Sequence, residues 1–158
     1  VFGSGKLFRE LAAEDTAVGH KLKKENDAGN LQPHWFAMYL YLKSLFSVRE
    51  GMSVIFDGFN RKLPEAELII SSLAWLERPF SVVHIEVSDD EVRRRLSERR
   101  KTSGRADDGA GEERMREYHE HTEPAIRLFR ESGVLIDVDG EQEPDAIMAT
   151  VREKLKLA

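Results

Sequence analysis

The sequence predicts an α/β domain in which a parallel sheet is flanked by helices. Three observations predict it. Short apolar runs at 52–56, 80–87 and 134–138 have the length and bulk of buried parallel strands. Stretches of helical period separate them. No repeat and no Pro/Gly/Ser-rich linker interrupts the 158 residues, so the pattern is that of a single domain, 1–158.

The elements follow in order. Gly5 to Glu14 reads as a helix with Leu7, Phe8, Leu11 and Ala12 on one stripe. Thr16 to Asn26 reads as a second helix, and Gly29 suits its stop. Pro33 opens a third that runs to about Ser47, with Phe36, Leu40 and Leu45 facing inward. Met52 to Phe56 is a strand ending at Asp57. Pro64 starts a helix reaching Trp75 or Leu76, and Phe80 to Val87 is the next strand. Ser88-Asp89-Asp90-Glu91 caps a helix, because acidic side chains suit its positive N-terminal end. A polar loop spans Thr102 to Gly111, and one long helix then runs to about Glu131, where Gly133 ends it. Val134 to Val138 is the last strand and Pro144 to Leu157 the last helix. Trp35 and Trp75 read as packing residues. Parallel strands joined by helices imply right-handed crossovers, and ligands then bind outside the carboxyl ends of the strands. Asp57 and the loop after it are therefore the first functional suspects.

Composition excludes several classes. Lys plus Arg number 24 against 29 Asp plus Glu, a net charge of -5, which is not the basic balance of a general nucleic-acid binder. With no cysteine there is no disulfide scaffold, cysteine zinc site or thiol nucleophile, and a reducing cytoplasm is the expected compartment. No apolar run approaches the ~20 residues that span a bilayer. His119 and His121 are two apart and do not share a helix face, so no metal pair is predicted there.

Three segments carry chemistry. Asp57-Gly58-Phe59-Asn60-Arg61 follows an apolar strand. A carboxylate there can hold a water of a bound Mg²⁺, Gly58 admits close approach of backbone to a ligand, and Arg61 offers a planar fork for two phosphate oxygens. A plain βα turn with an exposed Arg fits the same residues. In the second segment, Arg95 and Arg99 share a helix face, Arg105 lies in the adjoining loop, and Arg114 stands near the start of the next helix. Converging guanidinium groups suit a polyphosphate whose charge grows during phosphoryl transfer. A salt-bridged, solvated helix fits as well, and Arg93, Arg94 and Arg100 belong to that description. Third, Gly3-Ser4-Gly5-Lys6 suits an anion at a helix start, but it is no Walker A loop: the first glycine would fall at position zero, and Leu7 stands where Ser or Thr is needed.

Together these pieces resemble the adenylate kinase family of nucleoside monophosphate kinases. Ser4-Gly5-Lys6-Leu7-Phe8-Arg9 is similar to the opening of the family's mononucleotide-binding region, which would cover 3–50 here. Gly19 through Asn30-Leu31 is similar to the segment that closes over the nucleoside, and Asp57-Gly58-Phe59-Asn60-Arg61 to the Asp-Gly-Phe-Pro-Arg signature. Thr102 to Asp108 resembles the short-lid branch, with the lid at 100–111, and Tyr118, Thr122, Glu123 and Pro124 continue the likeness.

The resemblance implies a P-loop-kinase-like fold and transfer of the terminal phosphoryl group of Mg-ATP to a nucleoside monophosphate, with AMP as the default acceptor. It implies that Ser4, Gly5, Arg9, Asn30, Leu31, Gly58, Arg61 and Glu65 serve the acceptor. Arg99, Arg105 and Arg114 would clamp the transferring group. Arg95 would pack on the donor adenine, with Asp107 and Asp108 in the lid, and Asp57 would order magnesium waters without direct ligation. The expected cofactors are ATP and Mg²⁺, and the expected state is a monomer without nucleic-acid or membrane partners. The resemblance further implies a first strand, P-loop and helix of roughly 30 residues ahead of Val1, so the chain is expected to be an N-terminally incomplete part of its protein. Lys6, Asn60 and Glu65 depart from the family's usual Asp, Pro and Gln. An alternative with the same motifs is a non-catalytic mononucleotide-binding module.

Overall fold

The computed structural model describes residues 1–28, 30–103 and 110–157. Strand β1 (Phe2–Gly3) passes directly into helix α1 (Ser4–Ala12). Helices α2 (Ala17–Asp27) and α3 (His34–Phe46) follow, then β2 (Phe56–Asp57) and α4 (Leu63–Trp75). Strand β3 (Val82–Glu86) leads into α5 (Asp89–Ser103). After α6 (Gly111–Glu117) come a π-helical turn (Tyr118–Thr122) and α7 (Glu123–Glu131). Strand β4 (Leu135–Asp139) and helix α8 (Pro144–Lys154) complete the order.

Local chemistry explains most boundaries. Thr16 caps α2 by accepting the Gly19 N–H at 2.9 Å, and the Ser88 hydroxyl accepts the Glu91 N–H at the start of α5. Proline opens α4 and α8. Gly133, at φ 71°, ends α7 while the Val134 N–H returns to the Phe129 carbonyl. Gly29 lies outside the described residues.

The expected parallel sheet is two among the described residues. β1 pairs with β2, and β3 pairs with β4, both parallel. Residues of β2 and of β3 line the same cleft. The strand expected at 52–56 is shorter than its apolar run. Only Phe56 and Asp57 are laddered among the described residues, with one further bond from the Phe2 N–H to the Ile55 carbonyl.

The long helix expected up to Glu131 runs without a gap from Gly111 to Glu131, but one turn of it departs from α geometry. Pro124 has no N–H for the Glu120 carbonyl, and its ring crowds that carbonyl. The chain widens to a π-turn there. The two tryptophans are corrected as well. Trp35 is 64% exposed and Trp75 is 78% exposed, the latter closing α4 on its solvent side.

The core lies between α3, α4 and α7, where Leu40, Leu45, Ala66, Ile69, Leu73, Ala125 and Phe129 are buried. An aromatic cluster joins it to the first sheet. Phe56 packs on Phe2, Tyr41 and Phe59 with ring centroids 5.5, 4.8 and 5.6 Å away. These rings fix the strand end that carries Asp57.

Candidate active site

A cleft of about 940 Å³ is lined by the carboxyl ends of β1 and β2 and by β3 from Val82 to Ile85. Its center is a polar knot around the loop after β2. The buried Ser4 hydroxyl donates to the Gly58 carbonyl at 2.7 Å, and Arg61 Nε donates to the same oxygen at 2.9 Å. The Arg61 N–H donates to Glu65 Oε2 at 2.8 Å, and the Thr122 hydroxyl donates to the Arg61 carbonyl at 3.1 Å. Gly58 sits at φ 72°, and a Cβ there would stand 2.8 Å from Ser4 Oγ and 3.1 Å from Arg61 Nη2. The position therefore demands glycine on both conformational and steric grounds. Asn60, at φ 70°, adopts a conformation that asparagine tolerates and proline cannot.

The charges converge. Helix α1 begins at Ser4 with no side-chain cap, so its first N–H groups and the positive end of its dipole face the cleft wall. Arg9 folds back over Gly5, its Nη1 lying 3.1 Å from where a Gly5 Cβ would be. Burial holds the Arg61 guanidinium below its ordinary pKa, and neighboring Arg114 pushes the same way, while Glu65 and Asp57 pull it back up. Arginine stays charged through such shifts, so the cleft holds a desolvated guanidinium that Glu65 and Asp57 partly offset. Glu65 is only 5% exposed, and burial pushes its carboxyl up from the ordinary value against the opposing N–H groups of Arg61 and Lys62.

The π-turn has a geometric consequence. Eight residues of straight α-helix would leave Arg114 and Thr122 about 80° apart around the axis. The wider turn between them corrects most of that, and both residues line the cleft.

Of the residues singled out in the sequence, Ser4, Gly5, Arg9, Asn30, Leu31, Asp57, Gly58, Arg61, Glu65, Arg99 and Arg114 all line this one cleft. Arg95 turns elsewhere: its Nη2 donates to the Gly140 carbonyl at 2.6 Å and its Nε to Glu91 at 2.7 Å. Arg93 and Arg94 belong to the salt-bridged surface, paired with Asp90, Glu112, Glu91 and Glu98. Arg105, Asp107 and Asp108 lie outside the described residues. Two cleft residues escaped sequence reasoning. Gln32 is 7% exposed and donates to Asn26 at 2.9 Å. His84 bridges Asp137 at 2.8 Å and the Tyr118 hydroxyl at 3.0 Å. A polar residue just before the helix-opening Pro33, and a lone imidazole in the apolar run Val82-Val83-His84-Ile85, were the available signals. Among the described residues, no helix is long and apolar enough to cross a membrane.

Comparisons with known proteins agree with this site. The family model described as adenylate kinase matches residues 2–134. The adenylate kinase of Clavibacter michiganensis is 32% identical over 155 residues, covering 96% of this chain and 78% of the relative. That of Thermus thermophilus is 33% identical over 157 residues, covering 96% and 81%. That of Archaeoglobus fulgidus is 28% identical over 186 residues, covering 97% and 86%. An ordered set of cleft arginines, an Asp-Gly turn after a parallel strand and a family match over most of the length agree: the chain belongs to the adenylate kinase family, and its function is that of a nucleoside monophosphate kinase, a phosphotransferase.

Proposed function

We propose that the protein transfers the terminal phosphoryl group of Mg-ATP to AMP, working as a cytoplasmic monomer of one domain, with 3–50 as its mononucleotide-binding region and 100–111 as a short lid. One observation carries the reading. The N-terminus of α1, Arg9, Arg61, Arg99 and Arg114 all line one cleft, and Arg61 and Arg114 lie close enough to repel each other. Guanidinium groups brought together from the loop after β2 and from α6 suit the phosphates of two ligands that meet between them.

In this proposal Ser4, Gly5, Arg9, Gly58 and Arg61 hold the acceptor phosphate, and Asn30, Leu31 and Glu65 hold its nucleoside. Arg99 and Arg114, with Arg105 from the lid, neutralize the equatorial oxygens of the transferring group. Asp107 and Asp108 attend the donor nucleoside from the lid, and Arg95, tied to Glu91 and the Gly140 carbonyl outside the cleft lining, offers the face of its guanidinium to the donor adenine there. Asp57 is exposed on the cleft wall among these guanidinium groups, a carboxylate suited to waters of a hydrated cation. Mg²⁺ would supply charge neutralization on the donor phosphates. The remaining contribution of the protein is positioning and exclusion of water, with no covalent intermediate.

Binding of AMP to the wild type and to Arg61→Ala tests the acceptor half. The expected result is a loss of about one to two orders of magnitude in affinity with the fold intact, as for a lost charge-assisted fork. Equal affinity in both proteins would refute the assignment.

A further inference from the structure

The acceptor-base end of the cleft holds a chemical mismatch. Glu65 sits on the first turn of α4, almost fully buried, and lines the cleft together with Ala37 and Phe59. Its Oε2 is already engaged by the Arg61 N–H, which fixes the carboxyl group in place. Beside it, the Asn60 side-chain oxygen is buried and has no partner among the described residues. An ionized Glu65 therefore brings only acceptor oxygens to this part of the cleft.

An adenine edge offers a donor, the exocyclic amine, next to an acceptor, N1. An ionized carboxylate only accepts, so it satisfies the amine and opposes N1. A carboxylic acid has one carbonyl and one O–H, and matches both. Resting on the AMP-acceptor reading above, we propose that Glu65 reads the acceptor base as its neutral acid, so that AMP binding takes up a proton at this side chain. The carboxyl O–H donates to adenine N1 and the carboxyl carbonyl accepts from the exocyclic amine. No bond other than the O–H is made, and the proton comes from solvent.

The surroundings agree in sign. Burial already favors the neutral acid in the unliganded protein, and a base laid against Glu65 in the cleft removes still more water. The groups that oppose protonation are Arg61 and Lys62 on its own loop. Across the cleft wall stand Asp57 from β2, Arg9 from α1, Asp27 from α2 and Arg114 from α6. A bound phosphate dianion would neutralize Arg9 and Arg61, which weakens their pull on the carboxylate. The Tyr41 phenol, from α3, is pushed up by its own burial and stays neutral.

Linkage sets the pH profile. Above the Glu65 titration, AMP binding weakens by up to about tenfold per pH unit, because a proton must be taken up each time. The AMP phosphate itself titrates near pH 6 and strengthens binding as pH rises, so its effect has the opposite sign. Glu65→Gln keeps an acceptor for the Arg61 N–H and presents the same donor–acceptor pair permanently.

The test is AMP affinity of the wild type and Glu65→Gln between pH 6 and pH 8.5, by calorimetry in two buffers of different ionization enthalpy. The expected result is a wild-type to Gln ratio of dissociation constants that grows on the order of tenfold or more across this range. Across this range the wild type should take up more protons per AMP than the Gln variant. Parallel pH profiles with equal proton counts would overturn the inference while leaving the acceptor site standing. So would tighter binding of GMP than AMP by the wild type, since guanine presents two adjacent donors to a carboxylate. Failure of both proteins to bind AMP at any pH would overturn the acceptor-site reading, and this inference with it.

Discussion

Replacing Gly58 with Ala should cost stability and ligand affinity together, for reasons that a second glycine can separate. Gly58 and Gly51 both hold φ near 70°, at 72° and 75°. An alanine in the left-handed region costs about 1–2 kcal/mol at either site. At Gly51 nothing lies within 4 Å of the new Cβ, so that strain is the whole effect. At Gly58 the Cβ would meet the buried Ser4 Oγ at 2.8 Å and Arg61 Nη2 at 3.1 Å. Relief requires moving the serine, which breaks the Ser4–Gly58 bond and costs about 1 kcal/mol more. The sum for Gly58→Ala is roughly 2–3 kcal/mol, or about 5–10 °C in Tm for a chain of this size. Urea melts followed by circular dichroism measure the difference, with an unchanged m-value required. AMP affinity supplies the second readout, since only Gly58→Ala displaces the Arg61 guanidinium. Its affinity should fall about tenfold or more while Gly51→Ala binds normally. Equal stability losses in the two variants, or unaltered AMP binding by Gly58→Ala, would refute the packing reasoning.

Other outcomes follow from the same structure. Phe129→Ala, at 1% exposure the most buried large side chain of the core, should lose about 3–5 kcal/mol in a urea melt. Asp137 is held below its ordinary 3.8 first by His84 and then by Arg130. A depressed folded pKa gives stability that is present above the unfolded value and lost as pH falls through the folded one. Wild type should therefore exceed Asp137→Asn in urea stability at pH 6–7, with the gap closing below about pH 4.

Helix starts were largely legible because they depend on neighbors in sequence. Thr16, Ser88, Pro64 and Pro144 act within one turn of themselves. The motif residues were legible for a related reason: Asp57 to Arg61 form one short loop whose order carries the chemistry. The rest depends on distant partners. The apolar run at 52–56 has the composition of a strand, but which of its residues are laddered depends on Phe2 and Gly3, more than fifty positions away. Arg61 is held by Ser4 through Gly58, by Thr122 and by Glu65, and residues up to 61 positions away cannot be read from a local window. The π-turn is the middle case. Pro124 was visible, yet whether a proline kinks, ends or widens a helix is decided by what its two flanking segments must face. Arg95 shows the converse. Helical spacing put it beside Arg99, but the Gly140 carbonyl, 45 positions away, claims its guanidinium.

The most direct test of phosphoryl transfer is ADP formation from ATP and AMP by the full-length protein, with Arg99→Ala prepared in parallel. Arg99 lines the cleft from α5 and contributes charge where the transferring group would pass. Turnover in the wild type that falls by about two or more orders of magnitude in a folded Arg99→Ala protein is the predicted result. Wild-type turnover in the variant, or no ADP from either protein, would contradict it.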